Sequence, residues 1–169
     1  MNSTKKKREG TQARGFTLIE ILIVIGIIAI LAGIVLVAIN PARQFRQANN
    51  TQRESNVNAI LNAIGQYIVD NKGDLSGLDI PSGTSRSDAD EITDGTGGAD
   101  ICDDLVPTYL PALPADPLKT EQSITDCSTY STDYSVFEED GRVTVIATKT
   151  EDVDDGGTVS LSEAIAVTR

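Results

Sequence analysis

A chain of 169 residues has room for one ordinary domain with an appendage. Its 25 acidic against 14 basic residues leave a formal net charge of −11, which opposes binding along a phosphate backbone, so no nucleic-acid partner is expected. Histidine and tryptophan are both absent. Without histidine the commonest general base and metal ligand is missing, no nucleophile–base constellation is visible, and the chain reads as a non-enzyme.

The charge is unevenly spread. Residues 1–15 carry Lys5, Lys6, Lys7, Arg8 and Arg14 against Glu9, a local +4 that leaves −15 for the rest. From Ile21 to Ile39 run nineteen residues without a charge. As a helix they span roughly 28 Å, the thickness of a hydrocarbon core, and predict a membrane span over residues 16–39. The basic cluster before it predicts a cytoplasmic N-terminus and an exported remainder. An ordinary secretory signal carries its small-residue cleavage site after the apolar run. Here that position reads Asn40-Pro41-Ala42-Arg43 instead. The processing signal lies on the other side, in Arg14-Gly15-Phe16-Thr17-Leu18-Ile19-Glu20, where a basic leader ends in glycine and a lone carboxylate follows inside apolar sequence.

This segment resembles the cleavage and methylation motif of type IV pilins and type II secretion pseudopilins, closely over residues 14–39 and more loosely to about residue 72. The resemblance implies a leader of residues 1–15, cut between Gly15 and Phe16 by a prepilin peptidase and followed by N-methylation of Phe16. Glycine before the cut suits close approach of a peptidase to the backbone. A carboxylate at membrane depth costs a few kcal/mol and usually faces a partner. One reading of Glu20 is that it snorkels to the interface or favours the helix dipole. The resemblance implies the other: Glu20 pairs with the new Phe16 amine of a neighbouring copy and sets register in a helical filament. It also implies an inner-membrane assembly platform and a cytoplasmic ATPase as partners. The final location would be a pilus or a secretion pseudopilus, in the periplasm or at the cell surface. The chain departs from long pilins in having Val37 where they often carry a proline.

Asn40-Pro41 reads as an N-cap with proline at the first helical position, so a helix restarts there or one helix kinks. Val57, Ile60, Leu61, Ile64, Tyr67 and Ile68 recur at helical spacing, predicting an amphipathic extension over 40–72 that ends near Asp70–Gly73. Arg43, Arg46 and Arg53 are expected near the membrane surface, with 6 basic against 23 acidic residues from Glu54 on. Residues 73–100, with six Gly and six Asp, read as a connecting loop of disorder-like composition. Pro107, Pro111, Pro114 and Pro117 follow, and the Tyr109-Leu-Pro-Ala-Leu-Pro-Ala-Asp-Pro117 pattern resembles the stretch leading into the sheet of major pseudopilins; a proline-rich peptide ligand is the other reading.

Tyr134, Val136 and Phe137 before Asp140-Gly141, and the β-branched Arg142–Lys149 after it, predict a hairpin. A third strand is expected at Thr158–Leu161 or Ala164–Val167. The fold class is therefore α+β, a long N-terminal helix packed on a small antiparallel sheet, with a head over residues 73–169.

Cys102 and Cys127 are an even pair in the exported part and are candidates for a disulfide, which would close a loop worth roughly 3 kcal/mol; two free thiols are the alternative. Counted from Asp152, carboxylates fall at positions 1, 3 and 12 of a twelve-residue calcium-loop pattern: Asp152, Asp154 and Glu163, with Thr158 at position 7. Gly156 breaks the pattern at position 5, and a solvated Asp-Gly turn is the competing reading. A membrane-anchored adhesin or calcium-dependent binding module that does not polymerise is the alternative to a filament subunit.

Overall fold

A computed structural model describes residues 15–95, 97–160 and 163–169, the side chains of residues 37 and 38 excepted. The leader up to Arg14 lies outside the described residues, as do Leu161 and Ser162. Two compact units divide the chain, residues 1–41 and 42–169.

The first unit is helix α1, Leu18–Ala38. Leu18–Leu36 has a mean hydropathy of 3.1, long and apolar enough to cross a membrane by length and composition. Its apolar side chains are exposed all round, so no stripe faces a protein core. A helix apolar on every side is stable where its surroundings are apolar too. Ile39 is extended and ends α1, and α2 (Pro41–Asp70) begins two residues later. The sequence allowed a restart or a kink; the helix restarts.

The second unit is built on α2. Val57, Ile60, Leu61 and Ile64 are buried on one face, as their spacing predicts. The helix ends in a paired hydrogen-bond motif, Lys72 N–H to Val69 O and Gly73 N–H to Ile68 O. Lys72 itself takes φ +62°, the left-handed position more often given to glycine.

Against α2 lies a four-stranded antiparallel sheet in the order β1-β4-β5-β6, made of β1 (Asp90–Thr93), β4 (Ser131–Glu139), β5 (Arg142–Ala147) and β6 (Ile165–Thr168). Between β1 and β4 come a short helix α3 (Cys102–Leu105) and a separate two-stranded ribbon of β2 (Leu113–Pro114) and β3 (Ser123–Ile124). Tyr134, Val136, Val143 and Val145 join the α2 residues in the main core. Phe137 and Ile146, of opposite parity, form a second small core with Ala164. Each fully buried aliphatic side chain contributes about 1.5–3 kcal/mol. The β4–β5 hairpin turns at Asp140 and Gly141, both with positive φ (51° and 78°), as a tight two-residue connection requires.

The fold class is α+β, as expected. Residues 73–100 differ from the loop expectation. They contain β1, and Leu78, Ile92 and Ala99 are buried in the main core. Of the two positions expected for a third strand, the later one is a strand, β6. In the earlier, Thr158 makes an isolated bridge to Glu151, and Leu161 lies outside the described residues.

Candidate functional site

Three places carry the residues singled out by the sequence. The first is the start of α1. Thr17 is the N-cap: its hydroxyl accepts the Glu20 N–H at 3.2 Å, and the Glu20 carboxylate accepts the Thr17 N–H at 3.4 Å. This reciprocal pair answers two of the amide donors that a helix start leaves open. The carboxylate of Glu20 thus sits at the positive end of the helix, close to the backbone that follows Phe16. Gly15 has open space where a side chain would be, and Phe16 is 81% exposed. The bond between them is unobstructed on the described side.

The second place is the loop after Lys149, which α2 grips along one face. The core phase of Ile60 and Val57, continued toward the N-terminus, reaches Arg53, Asn50, Asn49 and Arg46. Arg46 Nε and Nη2 donate to Val153 O at 3.1 and 2.9 Å, and Nη2 reaches Asp154 O at 3.3 Å. Arg43 pairs with the Asp154 carboxylate at 3.3 Å. The Asn50 amide donates to Glu151 O at 2.7 Å and accepts its N–H at 3.0 Å. Asn49 donates to the Glu151 carboxylate at 3.0 Å.

The calcium-loop candidates are spread across these contacts. Asp152 Oδ1 accepts the N–H groups of Asp154 and Asp155, and these bonds, with Arg46 nearby, hold its carboxyl below the usual carboxylate range. Thr158 bridges to Glu151, and the Glu163 carboxylate accepts the Ser160 hydroxyl at 2.8 Å. Among the described residues no group of three or more His, Cys, Asp or Glu side chains is placed to hold a metal ion. The carbonyl oxygens of Val153 and Asp154 face the Arg46 guanidinium. The carboxylates of the pattern are engaged within the chain: Asp152 by the Asp155 and Asp154 amides, Asp154 by Arg43, and Glu163 by Ser160.

The third place is the interior beneath this loop. Arg53 and Asp116 are both essentially inaccessible, paired through Nε to Oδ2 at 2.6 Å and Nη2 to Oδ1 at 3.2 Å. Arg53 Nη1 also donates to Glu151 and Asn50, each at 2.9 Å. Burial alone lowers the guanidinium pKa, but the bonds to the two carboxylates outweigh it and raise it. Asp116 Oδ1 further accepts the Leu118 N–H at 2.9 Å. Arg53 is thus buried within the unit spanning residues 42–169, whereas Arg43 is half exposed. Arg53 is the polar centre of the head. The sequence carried one signal for this: polar residues at the apolar phase of α2, with an acid in the proline-rich stretch to meet them.

Asp116 is held in a loop closed by the Cys102–Cys127 disulfide, with Cα atoms 5.5 Å apart. Tyr130 braces the same loop: its hydroxyl accepts the Ile101 and Cys102 N–H groups and donates to Asp100 at 2.8 Å, and burial first, then Asp100, raises its pKa.

Residues 11–36 match the family model of the prokaryotic N-terminal methylation motif, the signature of type IV pilins and pseudopilins. Comparison with curated proteins and with solved structures gave no match.

Proposed function

We propose that the chain is the precursor of a structural filament subunit, a prepilin or pseudoprepilin. The peptidase cuts it between Gly15 and Phe16, the new Phe16 amine is then N-methylated, and the chain stays anchored by α1 with its head exported. Copies then polymerise with the help of an inner-membrane platform and a cytoplasmic ATPase. The observation that carries this reading is the junction itself: the methylation motif over 11–36 covers the start of an apolar helix whose one acid, Glu20, is the fifth residue after the cut.

The chemistry follows from the dielectric. A lone carboxylate in hydrocarbon is costly, and so is a lone ammonium, but the two neutralise each other at close range. In the monomer Glu20 is engaged by its own helix start, at 3.4 Å from the Thr17 N–H. The amine of another copy is a stronger, charge-assisted donor for the same carboxylate. Register between copies is thereby fixed at one position.

Between the two filament types, the stretch Tyr109–Pro117 favours a secretion pseudopilus. It leads into the sheet through the β2–β3 ribbon and the Asp116 N–H bond to Thr132 O at 2.9 Å. The test is Glu20→Ala in cells that carry the peptidase and the assembly machinery. Cleavage and membrane insertion should persist while filaments disappear in electron micrographs. Normal filaments from that variant would overturn the assignment of Glu20.

A further inference from the structure

Three stretches of the head meet at one guanidinium. Arg53 comes from α2, Asp116 from the segment between the two cysteines, and Glu151 from the loop after β5. The first contact ties Arg53 to a segment whose ends are joined covalently, Cys102 to Cys127. The second ties it to a loop, bridged at Glu151 and Thr158, that the disulfide does not touch.

The disulfide-closed segment has little regular structure of its own: α3 spans four residues, and the β2–β3 ribbon pairs two residues with two. It nevertheless covers the main core, with Leu105, Leu113, Ala115 and Ile124 all buried. What seats its middle is polar. The Asp116 N–H donates to Thr132 O at 2.9 Å, Asn56 donates to Ala115 O at 3.0 Å, and the Asp116 carboxylate holds Arg53. A segment with so few ladder bonds opens locally unless its ends are tied. Partial lifting is disfavoured, because it strands Arg53 desolvated and without its inaccessible counter-charge. The segment is therefore either seated or open.

Joining cysteines 25 residues apart removes chain entropy from the open form and shifts the balance toward the seated one by about a hundredfold. Opening brings water to Arg53. Its bond to Glu151, 2.9 Å long, then becomes a solvated surface pair of little strength. Asn50 is loosened with it, since its Oδ1 accepts both Arg53 Nη1 and the Glu151 N–H.

We propose that the redox state of Cys102 and Cys127 controls the loop from Glu151 to Thr158 through Asp116, Arg53 and Glu151, so that the loop sets only in the oxidised chain. Forming the disulfide passes two electrons and two protons to a disulfide oxidant, which leaves as a dithiol. On the export reading such oxidants are met beyond the reducing cytoplasm, so the loop sets after the head has crossed.

The test is hydrogen–deuterium exchange read by mass spectrometry on the full-length chain in detergent, before and after reduction. Dithiothreitol supplies the two electrons and two protons and closes to its own cyclic disulfide. Peptides within 103–126 should exchange about a hundredfold faster after reduction and those over 151–158 about tenfold faster, with the β4–β5 ladder unchanged. Cys102→Ser with Cys127→Ser should reproduce the reduced chain without reductant. Arg53→Met with Asp116→Leu should keep the response at 103–126 and lose the one at 151–158. An unchanged 151–158 loop, a loop response that survives the Arg53 and Asp116 replacements, or a uniform rise that includes β4–β5 overturns the proposal. None of these outcomes depends on cleavage or on filaments, so the polymer reading stands or fails separately.

Discussion

Asp116→Ala strips the buried Arg53 guanidinium of two of its hydrogen bonds, at 2.6 and 3.2 Å, and of its one inaccessible counter-charge. Glu151 remains, but its side chain is 17% exposed and meets only Nη1. Removing one partner of a buried pair costs about 3–5 kcal/mol, because the charge left behind is desolvated and unpaired. Loss of the acceptor for Leu118 N–H adds about 1 kcal/mol. For a unit spanning residues 42–169, the melting temperature should fall by roughly 10–20 °C. Circular dichroism of the mature full chain in detergent reads this, with the far-ultraviolet signal of the head as the unfolding probe. Two comparisons separate the mechanism from mere truncation. Glu151→Ala should cost a third as much or less. Arg53→Met combined with Asp116→Leu should recover at least half of the loss, since a well-packed apolar pair needs no counter-charge. An Asp116→Ala shift of only about 2 °C, or a double variant no better than the single, refutes the reasoning.

Arg46→Gln removes the donors to Val153 O and Asp154 O, and limited proteolysis should then nick the chain between 152 and 158 several-fold faster; an unchanged pattern counts against the clasp. Gly156→Ala places a Cβ 3.1 Å from Arg46 Nη1 at φ +79°, and should cost about 1–2 kcal/mol in a denaturant titration. Millimolar calcium should leave the melting temperature unchanged, and a rise that Asp152→Ala abolishes would contradict the arginine assignment. Burial pushes the Tyr134 phenol up to about 12. Its contribution to stability is therefore complete below pH 10 and lost between pH 10 and 12, at about 1.4 kcal/mol per pH unit. Ring-labelled NMR showing Tyr134 ionising near pH 10 in the folded chain would exclude that.

The α2 core face and the β4–β5 hairpin were legible because each has a clean period, 3.6 and 2, and the turn residues Asp140-Gly141 suit one geometry. β1 was hidden because Asp90-Glu91-Ile92-Thr93 has one apolar residue and lies in a Gly- and Asp-rich stretch; its strand identity comes from pairing to β4, not from propensity. The burial of Arg53 was hidden for a different reason. Clustered arginines after a membrane span look like a surface, and only the partner 63 residues away in sequence, Asp116, makes burial affordable. The loop after Asp152 shows the limit of motif reading. Spacing singled out Asp152, Asp154 and Glu163, but spacing does not reveal that a guanidinium from α2 takes the Val153 and Asp154 carbonyls. The N-terminal motif was readable in full because its information is local and chemical: a leader, a glycine, an apolar helix and one acid.

The central claim turns on the mature N-terminus. Intact-mass and N-terminal peptide spectrometry of the chain purified from cells with the processing peptidase should find residues 1–15 gone and Phe16 carrying one added methyl group. A chain that keeps its leader, or one cut after the apolar helix, contradicts the account.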